Sequence, residues 1–174
     1  MSSEVVIRPV RPEDAEAVYA LRLLPSVIDG TLAIPSTRIE ETHQRIGRLG
    51  PDDHTFVAVV DGQVVGLAGM HVGTGKHRHT GSLGMMVHDQ FQGRGIGREL
   101  LEALLHVADN FLGLTRVELE VFPDNERAIR LYESCGFEHE GRKRKAVWRH
   151  GEHQDTLMMG RIREVLSETP TDHS

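Results

Sequence analysis

A chain of 174 residues can bury one sizeable core and is short for two, so one domain is expected over 4–162, with a flexible tail at 163–174. Its 39% apolar and 26% charged residues are those of a soluble globular protein, and 26 acidic against 20 basic residues, a net charge of −6, exclude a global positive field for nucleic acid or an anionic membrane. Cys135 is the sole cysteine, which rules out an intramolecular disulfide and any C-x-x-C zinc or redox motif. The start has no apolar run suited to a signal peptide, and no run anywhere reaches about eighteen residues, so a cytoplasmic protein is expected.

In chain order, "EVVIRPV" (4–10) is β-branched and stops at prolines, which predicts a strand. "PEDAEAVYALRLL" (12–24) places acids in a first turn and Ala15, Val18, Leu21 and Leu24 at helical spacing. "PSVIDGTLAIPS" (25–36) has two prolines and a glycine and predicts a loop, and "TRIEETHQRIGRLG" (37–50) a second helix. "HTFVAVVDGQVVGLAGMHV" (54–72) is two apolar runs joined by Asp61-Gly62, residues that tolerate positive φ, and so predicts a hairpin. "TGSLGMMVHD" (80–89) is a third strand. After it, Ile96, Leu100, Leu101, Leu104, Leu105, Ala108 and Leu112 form the apolar stripe of a helix of about four turns. "TRVELEV" (115–121) alternates as a half-buried strand, "DNERAIRLYESCGF" (124–137) is a capped helix ended by Gly136, and two last strands, about 137–148 and 153–162, flank a turn at "RHGE". This order implies an α/β fold: a mixed, mostly antiparallel sheet of about seven strands flanked by four helices.

Between the third strand and its helix lies "FQGRGIGREL" (91–100). A helix start leaves unpaired N–H groups and a partial positive charge, and bare glycine backbone lets an anion approach both. Gly93, Gly95 and Gly97 supply that access, and Arg94 and Arg98 add charge nearby, so a pyrophosphate is the natural guest. A P-loop needs Gly-Lys-Ser/Thr, and Gly97 is followed by Arg98-Glu99. A Rossmann turn needs a small residue where Arg98 stands, although Glu118 and Glu120 follow roughly twenty residues on. A plain strand-to-helix connection is the remaining alternative. On the later helix Asn125, Ala128 and Tyr132 fall at i, i+3 and i+7, one polar group at each end of one face. Taken singly, Asn125 reads equally as an N-cap and Tyr132 as a core tyrosine.

Together these features resemble the GNAT superfamily of N-acetyltransferases, and within it the bacterial amino-acid N-acetyltransferases. Gln92-Gly93-Arg94-Gly95-Ile96-Gly97 matches the family's Q/R-x-x-G-x-G/A, and "NERAIRLYESCGF" its N-x-x-A-x-x-x-Y-x-x-x-G-F. The resemblance implies that acetyl-CoA is the cosubstrate, its pyrophosphate on N–H groups from Gln92 to Gly97. The pantetheine arm would then lie like an added strand along Met85, Met86 and Val87, with a backbone N–H near Val87 polarising the thioester carbonyl. It implies contacts from Ile96, Arg98, Asn125, Ala128 and Tyr132, and it allows a homodimer, for which the sequence shows no interface.

Tyr132 is the candidate acid for the departing thiolate, or else it positions the sulfur without proton transfer. Many relatives carry a carboxylate where Ser82 stands here, and no Asp or Glu occurs between Asp61 and Asp89. Glu120 is the candidate base, with Glu118, His71, His88 and a water relay as alternatives. Deprotonating a lysine-like amine at pH 7 costs about 4.6 kcal/mol, against about 1 for an α-amino group. A weak base therefore favours a small-molecule α-amino acceptor, contacted by 25–36 and the final hairpin. A catalytically lapsed CoA-binding module and a peptide N-terminal acetyltransferase are the rival readings. Cys135, at the C-terminal end of its helix, is badly placed for an acetyl-enzyme. "RKRK" (142–145) reads as a solvated strand face, and "HRH" (77–79) and "HGEH" (150–153) lack metal spacing, so no metal is expected.

Overall fold

The computed structural model describes residues 4–164. Seven strands, β1 (Val5–Pro9), β2 (Asp53–Val60), β3 (Gln63–Val72), β4 (Thr80–Val87), β5 (Arg116–Val121), β6 (Glu138–Arg149) and β7 (Glu152–Ile162), make one sheet in the order β1-β2-β3-β4-β5-β7-β6. Every neighbouring pair is antiparallel except β4 and β5, so the sheet is mixed and mostly antiparallel, as expected. Its helices are α1 (Ala15–Arg22), α2 (Pro25–Gly30), α3 (Ile39–Gly47), α4 (Ile96–Val107) and α5 (Glu126–Ser134). Among the described residues no helix is long and apolar enough to cross a membrane.

Turn chemistry closes the hairpins where the sequence predicts. Asp61 and Gly62 have φ of 49° and 78°, and His150 and Gly151 of 56° and 76°. Positive φ at both central residues matches the twist of the strands they join.

Each face of the sheet buries its own apolar layer. On one, Ile96, Leu100, Leu101 and Leu104 of α4 pack over Ala58, Val65 and Ala68 with Tyr132 and Phe137. On the other, Val18 and Leu21 of α1 and Val27 of α2 cover Val57, Val64 and Met86.

Two local expectations need correction. The predicted loop 25–36 contains α2, because Pro25 sits at the first helical position, where its missing N–H costs nothing, and Val27 anchors the turn in the core. Four expected helices thus become five. The stripe of α4 also ends sooner: the chain widens into a π-helical turn over Ala108–Leu112 before Gly113 at φ 60°. The wider turn shifts the helical phase, so Ala108 stays buried while Leu112 is 37% exposed. Of the expected tail, residues 165–174 lie outside the described residues, whereas the Arg163 N–H donates to the Thr115 carbonyl at 2.8 Å.

One gap in the sheet positions everything below. The parallel pairing of β4 with β5 runs only from Thr80 and Arg116 to Ser82 and Glu118, while β4 stays paired with β3 as far as Val87. From Leu83 and Leu119 onward the two strands diverge into a fork.

Candidate functional site

Gly95 is the N-cap of α4 at φ 82°, and Gly93 precedes it at φ 75°. Such backbone is cheap only for glycine. A Cβ at Gly95 would meet no atom within 4 Å, so that position faces open space, whereas one at Gly93 would lie 3.2 Å from the Arg127 guanidinium and one at Gly97 3.3 Å from Leu131. Buried Ile96 pins the helix start to the core. Among the described residues no hydrogen bond within the protein uses the N–H groups of Gly93 to Arg98. A row of free donors at the positive end of a helix of twelve residues suits an extended pyrophosphate. Gln92 departs from expectation: its N–H donates to the Asp89 carbonyl at 3.2 Å, so the free donors begin at Gly93.

The side chain of Gln92 is a staple. Its Nε2 donates to the Val87 carbonyl at 3.1 Å, and its Oε1 accepts from Arg127 at 2.9 Å. Arg98 is likewise committed, donating to Ser134 Oγ at 2.7 Å beside an ion pair with Glu102 at 3.7 Å. Arg94 remains exposed, its guanidinium 5.0 Å from the Phe91 ring centre.

Along the fork, the His88 N–H donates to the Val65 carbonyl at 2.8 Å. Antiparallel strands alternate paired and outward-facing groups, so the N–H of Val87, one residue earlier, points away from β3 into the fork. The side chains alternate too: Met85 and Val87 join the α4 layer and Met86 the α1–α2 layer.

Helix α5 forms the opposite wall. Asn125 caps it, its Oδ1 accepting from the Ala128 N–H at 3.3 Å. The cap explains one end of that amide, while its Nδ2 lies near Gly30 at the end of α2. Ala128 keeps the middle of the wall narrow. Tyr132 is 6% exposed against Phe137, and burial pushes its phenol up to about 12.

One cleft of about 860 Å³ runs through the fork and joins both faces of the sheet, and every residue predicted for the site except Arg94 lines it. Of the four candidate bases only Glu120 does so. Burial pushes its carboxyl up, but the Thr156 hydroxyl and the Lys143 ammonium outweigh that and hold it below the usual carboxylate range. Glu118 instead accepts from Ser82 Oγ at 3.3 Å and from Arg116, and His71 pairs with Asp53 at 2.8 Å outside the cleft. His88 also lies outside the cleft, against Asp89 at 3.0 Å.

The "RKRK" run is exposed on its strand, as expected, and two of its residues are also paired: Arg142 with Asp155 at 3.2 Å and Lys143 with Glu120 at 2.9 Å, around a bulge with Lys145 at φ 52°. Among the described residues no three His, Cys, Asp or Glu side chains gather as metal ligands would.

The cleft also takes residues that the sequence reading misses. Arg127 carries a basic charge in the first turn of α5, against the helix dipole, and that misfit is the sequence signal that could have found it. At the other end Ser26, Thr31 and Ala33 of the expected acceptor loop are joined by Arg22, Thr42 and Arg45 from α1 and α3. The final hairpin contributes Thr156.

This chain matches the model of the acetyltransferase (GNAT) family over residues 22–137. It is 34% identical over 162 residues to the L-amino acid N-acetyltransferase AaaT of Escherichia coli K12, covering 92% of this chain and 99% of that protein. Among solved structures, a GNAT-family acetyltransferase of Streptococcus pneumoniae superposes with a TM-score of 0.81 at 25% identity, over 92% of this chain and all of the other. A spermidine N-acetyltransferase of Vibrio cholerae, solved in complex with CoA and spermine, shares the fold at a TM-score of 0.81 and 20% identity, over 91% of this chain and 95% of that one.

Proposed function

Because this chain belongs to the acetyltransferase (GNAT) family and is an N-acetyltransferase, we propose that it moves an acetyl group from acetyl-CoA to the α-amino group of an amino acid or similar small molecule. Transfer is by direct attack within a ternary complex, in one catalytic domain over 4–162. The observation that carries this reading is the unpaired edge of β4 after Ser82, in one cleft with the free N–H groups of Gly93 to Arg98 and with Tyr132.

Acetyl-CoA supplies an activated acyl group as a thioester. The glycine-rich turn holds the pyrophosphate, and the open edge of β4 aligns the pantetheine amides as an added strand would. The Val87 N–H meets the carbonyl oxygen where negative charge develops, so its stabilisation grows toward the transition state. As nitrogen bonds to the acetyl carbon, the C–S bond breaks and the nitrogen sheds a proton.

Tyr132 faces the leaving sulfur. A phenol raised to about 12 keeps its proton through the physiological range and serves as a donor. Giving that proton up to a thiolate of reference pKa about 8.5 is uphill by about 4.8 kcal/mol, so Tyr132 acts first through its hydrogen bond, and the proton shed by nitrogen balances the one that reaches sulfur. Glu120, ionised and held by Lys143 and Thr156, attracts the incoming ammonium and receives its proton directly or through water. A carboxylate so weakly basic suits an α-amino group better than a lysine-like one.

The test is release of free CoA thiol in the presence of acetyl-CoA and an acceptor panel. Turnover with α-amino acids exceeding that with polyamines supports the reading. Turnover confined to polyamines or protein N-termini, or acetyl-CoA binding with no acceptor-dependent thiol, overturns it.

A further inference from the structure

Four of the arginines set into this fold hold carboxylates. Arg8 pairs with Asp14 at 2.8 Å, Arg116 with Glu118 at 2.8 Å, Arg149 with Asp124 at 3.0 Å, and Arg161 with Asp109 at 2.8 Å. Arg22 breaks the pattern: it is half-buried in the wall of the cleft, and among the described residues it makes no ion pair and no hydrogen bond through its guanidinium. Its place as the last residue of α1 suits the helix dipole, which accounts for an arginine there but not for its turning inward. Burial and the like charge of Arg45 both push its guanidinium down, with Glu41 as the only opposing influence.

Around it the wall is polar and unfinished. Arg45 lines the same cleft and has no carboxylate partner among the described residues. Thr42, one helical turn before Arg45, is 3% exposed, and its Oγ1 has no hydrogen-bond partner; Ser26 Oγ, just after the α1–α2 corner, is equally unpaired. Two adjacent positive charges and two orphaned hydroxyls on facing helices are each costly alone. One ligand relieves all of them: a small anion with two oxygens, such as a carboxylate, which a guanidinium binds through two parallel hydrogen bonds. A chain of net charge −6 has no general field to draw such an anion, so its capture is local.

We propose that Arg22 and Arg45, supported by Ser26 and Thr42, form the subsite that binds the carboxylate of the acetyl acceptor. This rests on the α-amino reading above and adds that the acceptor is an anion at its carboxyl end. Ammonium and carboxylate then meet opposite charges in one cleft, which Glu120 and the arginine pair both line. The pair has a chemical consequence as well. A free amino acid's carboxylate holds its neighbouring ammonium protonated, and neutralising that carboxylate lowers the amine pKa. The arginines thus supply part of the activation that the weak base lacks.

The experiment compares an α-amino acid with its own carboxamide as acceptors, for the wild-type enzyme and for Arg22→Gln and Arg45→Gln. Wild type should favour the acid over the amide at least tenfold in kcat/KM, and each variant should collapse that ratio at least tenfold through the KM of the acid. Equal use of acid and amide by wild type, or variants that raise the KM of acetyl-CoA instead, overturns the subsite while leaving α-amino acetylation standing. Failure of wild type to use either acceptor would sink the α-amino reading. The subsite is read independently of turnover by calorimetric binding of an N-acetylamino acid and its amide in the presence of CoA. Preference for the acid, lost in Arg45→Gln, supports it; equal affinities overturn it. Arg45 is exposed, so this variant keeps the test open if Arg22→Gln does not fold.

Discussion

The ammonium of Lys143 on β6 lies 2.9 Å from Oε2 of Glu120 on β5, reaching past β7, which separates the two strands. Together with the Thr156 hydroxyl it keeps a half-sheltered carboxylate ionised at the mouth of the fork. Glu120→Gln should lower kcat/KM for the acceptor tenfold or more, on the order of the low end of general-base effects. Lys143→Met removes a charge that lowers the Glu120 pKa and leaves the burial that raises it. The carboxyl then needs a higher pH to ionise, so the acid limb of the rate profile should move upward. A Glu120→Gln enzyme with wild-type kcat/KM would remove Glu120 from the mechanism.

Tyr132→Phe keeps the packing against Phe137 and removes only the hydroxyl. We expect kcat to fall roughly 10–100-fold with little change in the KM of acetyl-CoA, the signature of an interaction made as the C–S bond breaks. Since the phenol sits at about 12, wild type should show no basic limb from this group below about pH 11. A wild-type basic limb near pH 9 that vanishes in Tyr132→Phe would contradict the burial argument.

Arg127 sits in the first turn of α5, where the dipole disfavours a cation, and holds Gln92 at 2.9 Å. Its place against the turn makes sense if a phosphate on the turn's N–H groups also meets this guanidinium. Arg127→Ala should raise the KM of acetyl-CoA about tenfold, the worth of one hydrogen bond to a charged group, while thermal unfolding shifts little. A large loss of stability with unchanged KM would recast the residue as structural.

Asp61-Gly62 and His150-Gly151 announce their turns because the backbone there needs positive φ, and the stripe of α4 announces the face it buries. The proposed donor half of the site is legible for the same reason: the positive φ at Gly93 and Gly95 calls for glycine. Helix α2 is hidden because Pro25 and Gly30, which bound it, are the residues that also make loops. The insertion of β7 between β5 and β6 sets Thr156 and Lys143 beside Glu120, and nothing local encodes it. Arg22 and Arg45 look like ordinary charges on amphipathic helices until the fold reveals that Arg22 turns inward with no partner among the described residues.

Away from the site, Asp14 accepts two hydrogen bonds from Arg8 at 2.8 Å and one from the Arg11 N–H at 2.7 Å, with its side chain 8% exposed. The Arg8 hydrogen bond leads in holding its carboxyl below the usual range. A depressed folded pKa gives stability that is complete above the unfolded value, about 3.9, and lost as pH falls through the folded one. Asp14→Ala should therefore cost about 2–3 kcal/mol at pH 7, a gap that narrows in denaturant titrations as the pH drops below the unfolded value, about 3.9. A gap independent of pH would assign the loss to packing.

The central claim, transfer to an α-amino group activated by a weak base, is tested most directly by giving the enzyme L-lysine, which carries both kinds of amine. NMR of the product identifies the acetylated nitrogen. The account predicts Nα-acetyllysine; Nε-acetyllysine as the main product would contradict it.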